Sequence, residues 1–210
     1  PLEKLNQQLH YSLDSGRQTA VNKRHAKGYR TARENLAQLC DTDSFVEYGQ
    51  LAVAAQRDRI SGEDLKVQTA ADGVITGLAT INSEQFGSAA TQVAVIVNDY
   101  TVLAGTQGYF HHRKIDRMLK QVQESFLPVV MYTEGGGGRP GDTDVKTQIA
   151  GLDVPTFASW AGLSGQVPMI AVNNGYCFAG NAALFGCADI RIATKTSWIG
   201  MAGPAMIEGG

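Results

Sequence analysis

Apolar residues in the first part of the chain recur at helical spacing. In LEKLNQQLHYSL, Leu2 to Leu13, the leucines at 2, 5, 9 and 13 are three and four residues apart and share one helix face. A second helix is expected from roughly Thr19 to Leu39, rich in Arg and Lys and stopped by Asp41-Thr42-Asp43-Ser44. From Phe45 the pattern turns to short β-branched runs bounded by Gly, Asn and Asp. These are FVEYG, then DGVITGLATIN (Asp72 to Asn82), then QVAVIVND (Gln92 to Asp99). The polar stretch 56–70 between them predicts a loop.

The second half alternates. HRKIDRMLKQVQESF (His112 to Phe126) has helical period, with Ile115, Met118, Leu119 and Val122 on the apolar side, and Pro128 ends it. PVVMYT is then a buried strand, Val145 to Leu163 a helix interrupted near Pro155, and VPMIAVNNG (Val167 to Gly175) a strand. A further helix starts within Phe178 to Phe185, and ADIRIAT (Ala188 to Thr194) is a last strand. Strands alternating with glycine turns and helices predict an α/β layered fold. The expected division is a helical N-terminal segment over 1–44 and a core domain over 45–210.

Composition narrows the function classes. A net charge of -2 over 210 residues leaves no electrostatic footprint for nucleic acid. No apolar run approaches the ~20 residues that span a bilayer. Cys40, Cys177 and Cys187 are too few and too scattered for a disulfide framework or a zinc ribbon, so the expected setting is a reducing one, the cytoplasm, with no metal. Cys177 and Cys187 are expected to be buried small hydrophobes. The chain begins at Pro1 without a methionine and ends at MIEGG, straight after an apolar stretch, so a fragment truncated at its C-terminus is expected.

Two stretches carry the candidate chemistry. GGGGRPGD (Gly135 to Asp142) follows one buried strand, and the turn within VNNGYCFAGNAALFG (Val172 to Gly186) follows another. At each, small residues bare backbone N–H groups, which suit an anion where a helix begins. If the turns face each other, they supply two donors to one oxygen, which is an oxyanion hole. The bland alternative is tight turns and close helix packing. A phosphate loop is disfavoured, because GGGGRPGD lacks the Gly-Lys-Ser/Thr ending.

VPMIAVNNGYCFAGNAALFGCADIRIATKTSWIGMAGP resembles the core of the crotonase superfamily, and within it the N-terminal half of the biotin-dependent acyl-CoA carboxyltransferases. TARENLAQLCDTDSFVEY, DGVITGLATIN, NDYTVLAGTQGYFHHRKI and EGGGGR resemble further segments of that family in the same order, over about residues 20–210. The resemblance implies a crotonase/ClpP-like β-β-α superhelix with a helical N-terminal extension. It places Gly137 and Gly138 at a first oxyanion turn and Ala179 and Gly180 at a second. Ala179 stands where the family has glycine, and Asn181 where it has a small residue.

Hydratases of the superfamily carry a glutamate three residues after the second oxyanion glycine; here that position is Ala183, which counts against hydration. What the resemblance implies instead is carboxyl transfer from carboxybiotin to the α carbon of an acyl-CoA, through an enolate held by backbone N–H groups. A biotin-dependent decarboxylase, or a non-catalytic crotonase-like assembly domain, are the alternatives. The implied partners are acyl-CoA, biotin carboxyl carrier and biotin carboxylase domains or subunits, the C-terminal carboxyltransferase half, and further copies of the chain. Within NKRHAKGYR (Asn22 to Arg30), the cations Lys23, Arg24, Lys27 and Arg30 are candidates for the phosphates of coenzyme A; a solvated helix face is the other reading. His111, Lys114 and Arg139 are expected to be structural.

Overall fold

The computed structural model describes residues 1–145 and 154–203. A six-stranded sheet organises them. Its strands are β1 (Val46–Tyr48), β2 (Val74–Thr80), β3 (Gln92–Asn98), β4 (Val129–Tyr132), β5 (Met169–Asn173) and β7 (Ile190–Ala193), in the order β1-β2-β3-β4-β5-β7. β1, β2 and β3 are antiparallel neighbours, while β3, β4, β5 and β7 run parallel. Beside the sheet, β6 (Tyr176–Phe178) pairs in parallel with β8 (Trp198–Gly200).

Period-two alternation assigns the two faces of β3. Ala94 and Ile96 point into a core with Ile115, Met118, Leu119 and Val122 of α6 (Tyr109–Ser125), Trp160 of α7 (Thr156–Gly162) and Leu184 of α8 (Gly180–Gly186). Trp160 Nε1 donates to the Leu184 carbonyl at 2.8 Å, which satisfies the indole inside that core. Val93, Val95 and Val97 point the other way, onto Ala32 and Leu36 of α3 (Ala32–Leu39).

The strands and α6 expected from sequence are present; the helices differ in detail. The single helix expected over Thr19–Leu39 is two, α2 (Gln18–His25) and α3. Gly28 lies between them at φ +75°, a left-handed conformation that ends a helix. Thr31 restarts it through a capping box: its hydroxyl accepts the Glu34 N–H, and the Glu34 carboxylate accepts the Thr31 N–H. The expected loop over 56–70 contains α4 (Gly62–Gln68), N-capped by Ser61 and anchored by the buried Leu65. Short β6 and β8 have too little periodicity to be read from the sequence. The expected helix over Val145–Leu163 falls partly outside the described residues.

α1 (Leu2–Tyr11) forms, but its leucine face stays largely uncovered, with Leu2, Leu5 and Leu13 exposed. Cys177 is buried as expected; Cys187 is exposed, because it lies past the end of α8. No helix among the described residues is long and apolar enough to cross a membrane.

Candidate functional site

The tetraglycine run threads between neighbours that use most of its N–H groups. Gly135 N–H donates to the Tyr176 carbonyl at 2.7 Å, Gly136 N–H to Ala104 at 2.9 Å, and Gly137 N–H to Asn181 Oδ1 at 3.0 Å. Gly137 sits at φ +91°, and a Cβ there would be 2.7 Å from that of Ala179, so the two turns are in contact. Gly138 is exposed, and its N–H has no partner among the described residues.

The second turn divides in the same way. Ala179 N–H donates to the Gly200 carbonyl at 3.0 Å. Gly180 opens α8, where a helix leaves its first N–H groups without intrahelical acceptors, and its N–H has no partner among the described residues. The four residues singled out by sequence are therefore brought together. Within them, the Gly137 and Ala179 amides are engaged, and the Gly138 and Gly180 amides are available.

Ala179 holds φ +50° and ψ -118°, a region that L residues enter at a cost of about 1–3 kcal/mol. Hydrogen bonds on both sides hold it there: Ala179 N–H to Gly200 O, and Ala183 N–H to Ala179 O at 2.9 Å.

Arg139 braces the first turn. Its guanidinium contacts the Asp72 carboxylate, donates to the Thr106 carbonyl at 2.7 Å, and lies 3.4 Å from Asp142. Asp72 also accepts the His111 N–H at 2.7 Å, and Asp142 the Tyr109 N–H at 2.8 Å, which ties the start of α6 to the turn. Burial pushes the Asp72 carboxyl up to about 6 against the opposing pull of Arg139. The expected structural roles of His111 and Arg139 fit these contacts. Lys114, also buried, donates to the Ala71 and Val74 carbonyls, and burial lowers its ammonium to about 8.

The four basic candidates do not form one cluster. Lys23 and Lys27 are exposed and line a cavity of about 210 Å³ with Tyr29, Tyr100, Thr101 and Tyr176. Arg24 also faces it, but its guanidinium is bound in a bidentate pair to Glu134 at 2.9 and 2.7 Å and lies over the Tyr29 and Tyr100 rings. Arg30 contacts Gln38 and lines a separate cleft with Asn35 and Tyr132. β6 joins the tyrosine cavity to the second turn: from Tyr176 to Gly180 is four residues, roughly 13 Å if fully extended.

Three residues that build the site carry little signal in the sequence. Glu134 precedes the glycines, yet its ion pair to a residue 110 positions away is invisible before folding. Asn181 stands out as a polar residue among small ones, but only the structure gives it the Gly137 N–H. Gln107, in the segment TQG, shows nothing by pattern, yet it is buried between the turns.

Two glycine turns meeting beside a largely parallel sheet, with β6–β8 packed outside it, define a crotonase-like carboxyltransferase fold. The carboxyl transferase domain model matches residues 23–209, and the chain belongs to that family. The methylmalonyl-CoA carboxyltransferase 12S subunit of Propionibacterium freudenreichii subsp. shermanii is 31% identical over 207 residues, covering 99% of this chain and 37% of that subunit. The methylmalonyl-CoA decarboxylase subunit alpha of Veillonella parvula is likewise 31% identical, over 99% of this chain and 38% of its own length. A solved single-chain, multi-domain long-chain acyl-CoA carboxylase is 56% identical with a TM-score of 0.92, over 100% of this chain and 20% of that one. The chain thus spans just over a third of the curated relatives it matches.

Proposed function

We propose that this chain is the thioester-binding part of the carboxyltransferase component of a biotin-dependent acyl-CoA carboxylase. The observation that carries the reading is the pair of unpartnered amides, Gly138 N–H and Gly180 N–H, on two turns in contact. A thioester carbonyl oxygen placed between them gains negative charge as its α proton leaves, and both donors bind the enolate more strongly than the ground state. Because the donors belong to the backbone, no side chain is needed to hold the charge. Carboxybiotin, when bound, supplies the carboxyl group and a proton acceptor. None of the described residues is assigned to biotin, whose place falls to the C-terminal carboxyltransferase half and the carrier partner.

Coenzyme A fits the tyrosine cavity. Lys23 and Lys27 flank it as free cations for phosphate, and Tyr29, Tyr100 and Tyr176 offer flat faces for a purine. Arg24, held by Glu134, shapes the wall, and Arg30 lies apart from it. The exposed apolar residues Ile190, Ile192, Trp198 and Met201, on and beside the edge strand β7, suit burial by that C-terminal half or by a second copy. Three free cysteines accord with a cytoplasmic setting. A decarboxylase acting in the reverse direction is the second reading, favoured by the equal identity to the Veillonella subunit.

Calorimetric titration with acetyl-, propionyl- and palmitoyl-CoA beside free coenzyme A tests the proposal. Gly180→Pro removes the N–H at a helix position that tolerates proline, and Gly180→Ala adds a Cβ but keeps the N–H. Tighter binding of a thioester than of free coenzyme A, weakened in Gly180→Ala, whose Cβ crowds the Gln107 side chain, and lost in folded Gly180→Pro, is the expected result. Equal binding of thioester and free coenzyme A by the wild type would sink it.

A further inference from the structure

Gln107 lies between the two turns and belongs to neither. Its backbone brackets Gly138: Gln107 N–H donates to the Gly137 carbonyl at 2.7 Å, and the Gln107 carbonyl accepts the Arg139 N–H at 2.9 Å. Its side chain reaches the other turn, where a Cβ on Gly180 would collide with Oε1 and would stand 3.0 Å from Phe157 Cζ. The residue is 3% exposed, and Nε2 has no hydrogen-bond partner. A buried amide donor left unpaired is destabilising. An acceptor arriving between Gly138 and Gly180 would offset that cost, because rotation about the last side-chain bond exchanges the two ends of the carboxamide.

We propose that the Gln107 carboxamide is a third donor to the thioester carbonyl oxygen, beside the Gly138 and Gly180 amides. The inference rests on the reading of the two turns as a thioester site. It makes Gln107 a residue that touches substrate, supplying through a side chain what the backbone alone supplies elsewhere in the site. It also gives the glycine at 180 a reason beyond its N–H: a side chain there would push the carboxamide aside.

The test compares an acyl-CoA with the matching alkyl-CoA thioether, which lacks only the carbonyl oxygen, by calorimetric titration. Wild-type protein is expected to prefer the thioester. Gln107→Leu, of similar size but without a donor, is expected to reduce that preference about fivefold or more. Gln107→Glu, which presents negative charge to the oxygen, is expected to reduce it further. Binding of the thioether itself should change little in Gln107→Leu. Should that variant fail to fold by circular dichroism, Gln107→Met keeps the length and flexibility of the side chain and carries the same comparison. An undiminished thioester preference in a folded donor-less variant overturns the inference and leaves the two-turn reading standing. A wild-type protein with no preference overturns both.

Discussion

Asn181 Oδ1 accepts the Gly137 N–H at 3.0 Å, so the start of α8 holds the tip of the tetraglycine turn. Both residues are buried. By taking the inward amide, Asn181 fixes the peptide plane after which the Gly138 N–H remains available. A small residue at 181 would leave that buried donor unpaired. Asn181→Ala is therefore expected to lower stability by about 1–3 kcal/mol, read as a shift in the urea midpoint. An unchanged midpoint would mean that Gly137 finds another acceptor.

The Arg24–Glu134 pair predicts a larger effect. Both side chains are more than nine-tenths buried and joined by two hydrogen bonds. Removing one partner strands a buried charge, which costs about 3–5 kcal/mol. Arg24→Met and Glu134→Leu are each expected to approach that range, while the two together should cost less than the sum. Additive losses in that cycle would count against a direct pair.

Acid should act through His112. Thr156 gives its hydroxyl proton to Asp116, so it accepts from His112 Nδ1, and the imidazole is neutral with the proton on Nδ1. Burial first, and then Arg139, lowers its pKa to about 4 from the usual 6.5. Between those values the unfolded chain takes up a proton that the folded chain refuses, so this group's contribution to stability falls as pH drops. Asp72, raised to about 6, works in the opposite direction: its contribution rises as pH falls from 6 towards 3.8. Comparing wild type with His112→Gln isolates the first effect. From pH 7 to pH 4 the wild type should lose up to about 3 kcal/mol more than the variant. Parallel denaturation curves at the two pH values would refute it.

Phosphate binding separates from carbonyl binding. Lys23→Ala and Lys27→Ala are each expected to weaken free coenzyme A and its thioesters alike, by about two- to fivefold, with a reduced dependence on salt. The preference for thioester over free coenzyme A should survive. If coenzyme A affinity is unmoved in both variants, the tyrosine cavity is not its phosphate site.

What the sequence makes legible follows from locality. β3 and α6 announce themselves because period two and period 3.6 are written into Val93–Val97 and Ile115–Val122, and the structure buries those residues. The turns are legible because few residues other than glycine allow so close an approach. The split between α2 and α3 depends on one glycine and one capping box, which a run of helix-forming residues masks. Which amides remain available is not legible at all. It depends on Asn181, 44 residues from Gly137, and on Gly200, 21 residues from Ala179, and pairing across such distances leaves no local trace.

The Arg24–Glu134 pair also sets a timetable. During synthesis Arg24 emerges 110 residues ahead of the carboxylate that will hold it, an interval of about 5–20 s at ordinary translation rates. Throughout that interval Arg24 of α2 lacks its counter-ion, and Arg17 likewise waits for Asp99. α2, among the first elements to be made, is thus fully fastened only after β4 has been made, whereas α3 is held earlier, by Glu47 on Arg33 and by β3.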